Sequence, residues 1–490
     1  MKKKYLKQNG SITLFLCLVF TLMLSFLILV LESARIHIIK AHTEGISHMA
    51  MESAAGYFSL PLFENYGIFS IHLPDSSLTP LVNKYINWNI STEGSIAGEW
   101  YDLCKISSFT CSLGKIYHIT DDNGKIFTDQ VIRYMNYAIA ADAADIFFQF
   151  PFLNTIFKDY IDISKINIKE NQVDSSFPLS ELSSDTNGEN ILTEEEAITK
   201  RDSIMSRVKG FLTNSTLNLY IDKASDISTC QTDLSILPSA VCSYEKDSGV
   251  SDFLCESEKL MLLIYFSDTF HCYTDKKSDT NELEYQLEYL IHGSSQDEDN
   301  LLKSILDIQS LRTGLNLAYL YTDSEKRQMA RTLAYSAVGL IPVPFIVEFT
   351  QLAILSAWAS AEAIVDVRDL LKGGKIPLFK TKSDWSLSLD DILTFDYNTK
   401  SNGKSNGCSY EQYLQLFLYT ELNTDMIYRA MDLIQMDIRK NYNPDFQMTE
   451  CITGMNYHFS FNYRPVFYIN NLYYKKSSLF NHSFIQSYGY

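Results

Sequence analysis

The sequence predicts a helix-rich α+β protein in which a single N-terminal transmembrane helix continues into a mixed ectodomain. Three observations carry this expectation. Residues Ser11 to Leu31 form a run of 21 residues without a charge. Helical apolar spacing recurs through the middle of the chain. Near the end, Tyr457-His458-Phe459-Ser460-Phe461-Asn462-Tyr463 alternates large and small side chains, the period-two pattern of a strand.

The apolar run is long enough to cross a hydrocarbon core of roughly 30 Å, which takes about 20 residues. Lys2, Lys3, Lys4 and Lys7 precede it, so the N-terminus is expected in the cytoplasm and the bulk of the chain outside. A cleaved signal peptide has an apolar stretch of roughly 7–15 residues and a small-residue cleavage site. Here the run is longer and ends in Ile28-Leu29-Val30-Leu31, which favours anchoring at the cell membrane. Cys17 follows Leu16 rather than a small residue, so it reads as a buried apolar side chain in lipid and not as a lipoprotein site. The segment Lys2-Lys3-Lys4 to Gly10-Ser11 also has the form of a short basic leader cleaved after Gly10.

Beyond the span, Glu32 to Ala55 lacks proline and should prolong the helix, with a turn at Pro61. Residues 68–125 read as mixed, with a strand at Gly114 to Ile119 and a turn at Asp122-Asn123-Gly124. A helix is expected over 128–149, a polar linker over 170–193 and another helix opening at Glu194-Glu195-Glu196. Residues 256–265 fit a buried strand or helix alike. Helical patterning covers Glu284 to Ala334, with a break at Gly293-Ser294-Ser295. Leu333 to Val367 is apolar but holds Glu348, Glu362 and Asp366, so a buried core helix is favoured over a second span. A Gly-rich loop at 401–407 precedes one amphipathic helix from about Tyr410 to Arg439 and the β-like tail. The expected segments are therefore 1–10 basic and cytoplasmic, 11–31 transmembrane, 32–180 helix and mixed α+β, 194–400 helix-rich core, and 401–490 helix plus β-like tail.

Composition excludes some functions. An apolar share of 46% and an aromatic share of 13% suit packed cores, not a disordered chain. Net charge is −18, and the first 31 residues hold four lysines and no acid, so the remainder carries −22. That surface repels phosphate backbones and argues against nucleic-acid partners. Cys104, Cys111, Cys230, Cys242, Cys255, Cys272, Cys408 and Cys451 make an even set outside the membrane, which permits disulfides. Pairing of neighbours (104/111, 230/242, 255/272, 408/451) is the simplest expectation, though many connectivities are open.

Chemical motifs are sparse. No HExxH, P-loop, GxGxxG or Gly-x-Ser-x-Gly occurs, and Gly403-Lys404-Ser405 lacks the upstream glycines of a phosphate loop. His48 and Glu52 share a helix face, but two such residues are far more often a solvated face than a metal site. Asp121-Asp122 and Asp390-Asp391 lack calcium-loop spacing. No catalytic residue, metal or cofactor is assigned. A hydrolase would need His271 or His292 in a cleft with an acid.

Several segments resemble an uncharacterised family of membrane-anchored Firmicutes proteins, a domain of unknown function. They are Glu32-Ser33-Ala34-Arg35 with Tyr66-Gly67-Ile68-Phe69, then Leu287 to Gly293 with Asn300-Leu301 and Asn316-Leu317. Further on come Ala357 to Ala363 with Asp366-Val367-Arg368, Gly373 to Leu378, Ser409 to Leu414, and Arg429 to Gln435. The N-terminus is also similar to minor pilins of tight-adherence (Tad) pili, although Phe15 stands where pilins carry Glu. The resemblance implies no activity. The expected role is a non-enzymatic, membrane-anchored extracytoplasmic component of a pilus-like or secretion assembly, with the membrane and other envelope proteins as partners. An envelope hydrolase or a glycan-binding surface protein is the alternative.

Overall fold

The computed structural model describes residues 10–90, 104, 106–149, 217–221, 227–246, 250, 254–275, 282–338, 344–389, 407–466 and 479–490. The linker expected at 170–193, the helix at 194–196 and Asp390-Asp391 lie outside these residues. The chain divides into two compact units: residues 1–130 with 445–490, and residues 131–444. The first unit is thus discontinuous, and the segment 401–490 is divided at Pro444.

In the first unit, α1 (Gly10–Ala55) is one helix of 46 residues. Its surface changes character at Glu32. Residues 12–31 are exposed except for half-buried Ile28, and then burial recurs at Glu32, Arg35, Ile39, Thr43, Ile46, Ala50 and Ala54. That spacing of three or four is one face of a helix against a core. Among the described residues α1 alone is long and apolar enough to cross a membrane.

α2 (Leu60–Tyr66) starts with Pro61 in its first turn and is capped by Gly67 at φ 69°, whose N–H reaches back to the Leu62 and Phe63 carbonyls. β1 (Ile71–His72) and α3 (Asp75–Ile90) follow, and α3 buries Leu78, Val82 and Ile86. β2 (Ile106–His118), β3 (Cys451–Tyr463) and β4 (Phe480–Gly489) complete an antiparallel sheet with β3 in the centre. Ile452 pairs with both His118 and Ile71, so β2 lies on one side of β3, and β1 and β4 share the other. One sheet face packs on α1 and α3: Met455, Tyr457, Phe459 and Phe461 meet Ile46, Ala50, Met51, Leu78, Val82 and Ile86.

The second unit is helical. It comprises α4 (Lys125–Gln149, entering from the first unit), α5 (Pro238–Val241), α6 (Glu256–Thr269) and α7 (Gln286–His292). It continues with α8 (Asp297–Thr322), α9 (Ser324–Val338), α10 (Pro344–Leu371), α11 (Tyr410–Thr420) and α12 (Thr424–Asn441). The ambiguous run at 256–265 is helix, and Leu262 to Phe266 are all buried. The expected break at 293–295 is present, and Gly293 ends α7 in the left-handed region.

α10 is the core helix, packed against α8 and α9. Every residue from Ala357 to Val367 is buried, and the alanines let backbones approach closely. The helix expected over Tyr410–Arg439 is two. Asn423 accepts from the Met426 N–H at 3.0 Å and caps a fresh start for α12.

Truncating a core position of β3 tests this packing. Phe461→Ala should lower unfolding free energy by about 3–5 kcal/mol, read by denaturant titration, because Phe461 is fully buried between sheet and helices.

Candidate functional site

The densest chemistry sits in the second unit around α10. Arg312 on α8 is fully buried, as are Asp366 and Glu362 on α10. Its Nε and Nη2 donate to Asp366 Oδ2 at 3.1 and 2.9 Å, and Nη2 also reaches Asn316 Oδ1 at 3.1 Å. Nη1 donates to the carbonyls of Pro377 and Leu378 at 3.0 and 2.8 Å and contacts the Tyr413 hydroxyl at 3.3 Å. Burial opposes the guanidinium charge, but Tyr413 and Asp366 outweigh it and raise the pKa.

Lys380 closes the network. Its ammonium bonds Glu362 and, at 2.5 Å, the other oxygen of Asp366. The Ser386 and Leu387 N–H groups also donate to Glu362, at 2.8 and 2.9 Å. Two cations thus face two carboxylates, which is how a dry core tolerates four charges. Burial still raises the Glu362 pKa against the pull of Lys380. Trp358 and Trp385 wall the network edge-to-face at 5.8 Å, and each indole donates to the Leu387 carbonyl. Lys326 lies 5.0 Å from both rings.

α7 forms a second centre. Glu288 Oε1 accepts from the Tyr273 N–H at 2.9 Å and the Tyr410 hydroxyl at 3.0 Å, while Oε2 is buried without a partner. Burial pushes the Glu288 carboxyl up to about 7, against the pull of those two bonds. The next residue, Tyr289, donates to Asp432 of α12 at 2.8 Å, and burial lifts that carboxyl to about 6. Arg429 donates to the Leu290 and Ile291 carbonyls and so satisfies the C-terminal end of α7.

His292 touches Ser304 Oγ at 3.0 Å and Asp307 at 3.5 Å, both through Nε2. A nucleophilic relay needs the acid on the opposite ring nitrogen, so this is not that geometry. Burial, Lys303 and Arg429 hold the imidazole down to about 4, so it is neutral at pH 7 and makes no ion pair with Asp307. His271 lies 3.8 Å from Asp275. His48 and Glu52 meet at 3.3 Å with both side chains more than half exposed. Asp121 holds the His118 N–H at 2.9 Å within the turn before α4. Among the described residues no group of three or more His, Cys, Asp or Glu is placed to hold a metal.

No disulfide forms among the described residues, so the neighbour pairing expected for the cysteines is corrected. Cys104 precedes, and Cys111 lies within, the extended β2, where five residues span roughly 16 Å. Cys255 and Cys272 flank the 14-residue α6, roughly 21 Å long, against the ~6 Å that a disulfide bridges. Cys408 and Cys451 belong to different units. Cys230 lies beside α8, its carbonyl accepting from the Asp297 N–H, while Cys242 caps α5. Burial pushes the Cys272 and Cys451 thiols up to about 12 and Cys408 to about 11, so they are protonated at neutral pH. Gly10 opens α1, and Ser11 is its second residue.

A family model described as a family of unknown function (DUF5702) matches residues 194–463. The chain belongs to that family. No curated protein and no solved structure matches it.

Within the DUF5702 region, the segments singled out in the sequence coincide with these contacts. Glu288, Tyr289 and Gly293 lie on or cap α7, and Asn300 clamps the Ser294 backbone with two bonds of 2.8 Å. Asn316, Trp358, Glu362, Asp366, Pro377 and Leu378 belong to the Arg312 network. Tyr410 and Asp432 hold the partners of α7. In this part of the chain buried polar side chains link one helix to the next. The sequence reading found these positions but not their pairing.

Two outcomes test this. Glu288 has a folded pKa above its ordinary 4.5, so its contribution is full below that pH and is lost as pH rises towards 7. The wild type should lose about 3 kcal/mol from this group over that window, and Glu288→Gln should flatten that part of the pH–stability profile. At Gly293, φ is 65° and an added Cβ would lie 2.5 Å from Arg429 Nε, so Gly293→Ala should cost about 1–3 kcal/mol by denaturant titration.

Proposed function

We propose that this chain is a single-pass membrane protein whose bulk lies outside the cytoplasm and serves as a non-enzymatic structural or assembly component of a pilus-like or secretion system. One observation carries the anchoring: the change in the surface of α1 at Glu32. Up to Leu31 the helix offers only apolar side chains and small hydroxyls to its surroundings, and the hydroxyls of Thr21 and Ser25 bond back to their own helix. That is what lipid requires of a backbone and its polar groups.

Just beyond, Glu32 and Arg35 pair at 2.7 Å, both buried. Arg35 Nη2 also donates to the Cys104 and Arg464 carbonyls at 3.0 and 2.7 Å. The charged clasp thus joins the end of the apolar run to the chain flanking β2 and β3. A helix that leaves the membrane and enters a sheet without a break suits a subunit that holds its outer domain at a fixed height. The likeness to tight-adherence minor pilins rests on the N-terminal anchor and the basic residues before Gly10, and the likeness to anchored Firmicutes proteins on the segments spread along the chain. The acidic surface, with −18 overall, keeps such a domain soluble.

Membrane fractionation tests the anchor. The full chain should stay with membranes through alkaline washing, and deletion of residues 11–31 should release it as a soluble protein. Recovery of the intact chain in the wash would sink the anchored reading. N-terminal mass analysis of the native protein tests the leader: processing starts the chain at Ser11, Gly10→Ala blocks it, and an intact Met1 end removes the leader from the proposal.

A further inference from the structure

The sheet of the first unit has two long outer strands, β2 and β4, beside the two-residue β1, and they differ. β2 pairs with β3 through three register shifts and carries Lys115. Bulges and lysines are the ordinary means by which an outer strand is kept from pairing again. β4 has neither. All ten residues from Phe480 to Gly489 pair with β3 in unbroken register, and none is Asp, Glu, Lys or Arg. Among the described residues β4 pairs with β3 alone.

The two faces of β4 also bear on the matter. On one face His482 and Phe484 turn towards the layer built with α1: His482 Nε2 lies 3.1 Å from Glu44, and Phe484 packs on Phe459 and Phe461. This row is only half buried, because the apolar layer stops there. On the other face Asn481, Ser483, Ile485 and Ser487 are exposed. Ile485 is 62% exposed in a row otherwise polar, at the middle of the strand.

We infer that the outer edge of β4, around Ile485, is an interaction surface for a second copy of this chain, pairing antiparallel with its own β4 about a two-fold axis at Ile485. Charge favours this occupant. Two chains of −18 repel over most of their surfaces, and a ten-residue strand without formal charge is a line along which they can approach. Symmetry favours it as well. Pairing about Ile485 sets that side chain against its own copy and Ser483 against Ser487, with each face of the sheet continued by the same face. Phe484 then meets Gln486, and the half-buried row gains a neighbour. The inference stands on the sheet alone and holds whether or not α1 lies in a membrane.

The test uses the full chain in detergent, with the exposed Cys17 and Cys255 changed to serine. Ile485→Cys should give a covalent dimer on mild oxidation. Ser112→Cys, on β2, should give none. Sedimentation should show a dimer for the parent chain and a monomer at the same concentration for Ile485→Lys, which sets two like charges opposite each other. Ser483→Lys is a second, fully surface variant with the same expected loss, and thermal unfolding confirms that both variants are folded. A monomeric parent chain, or a dimer that persists in both lysine variants, overturns the inference. Cross-linking of Ile485→Cys in native membranes to a different protein, and not to itself, overturns it too.

Discussion

The Arg312 guanidinium is the constraint on which the second unit rests. It is fully buried and reaches Asp366 on α10, Asn316 on its own helix, two successive backbone carbonyls at Pro377 and Leu378, and the Tyr413 hydroxyl on α11. A buried cation left unpaired costs several kcal/mol, so α8, α10, α11 and the segment after α10 share one arrangement in which all of these bonds form together. Lys380 adds the same demand from the other side of Asp366. Apolar packing alone would let helices as alanine-rich as α10 slide, since small side chains interlock weakly. The polar groups fix the register.

Much of the fold was legible in the sequence. The length of α1, the turn at Asp122 to Gly124, the break at Gly293 and the outer part of β3 all follow from apolar period and turn chemistry, which are local properties. Phe461→Ala probes one such position, whose place in the core was written in the alternation around it. The charge network was legible only by half. Glu362 and Asp366 were visible as acids inside an apolar segment and weighed against a second span, but their partners Lys380 and Arg312 stand 14 to 54 residues away. No local period encodes such a pairing. The pairings expected for Cys104 with Cys111 and for Cys255 with Cys272 failed for a similar reason: the strand or helix between them holds them apart. The division of the last helix at Asn423 turned on one side-chain cap within an otherwise continuous apolar pattern.

The two centres of the second unit solve the burial of acids differently. Around Arg312 each carboxylate meets a cation. Around α7, Glu288 and Asp432 meet tyrosine hydroxyls, and burial moves both towards the protonated form. The centre around α7 is therefore sensitive to the pH of its surroundings.

The unbroken α1 makes the first unit a lever. The 24 residues from Glu32 to Ala55 extend roughly 36 Å beyond the apolar run, and the sheet is bound along them, so no joint separates the two parts. With the apolar run in lipid as proposed, the helix would stand at a typical tilt of about 20° from the bilayer normal. Swinging a rigid arm of that length through such an angle carries its far end roughly 12 Å sideways. A change of tilt forced by the bilayer would then move the helix and its sheet as one body.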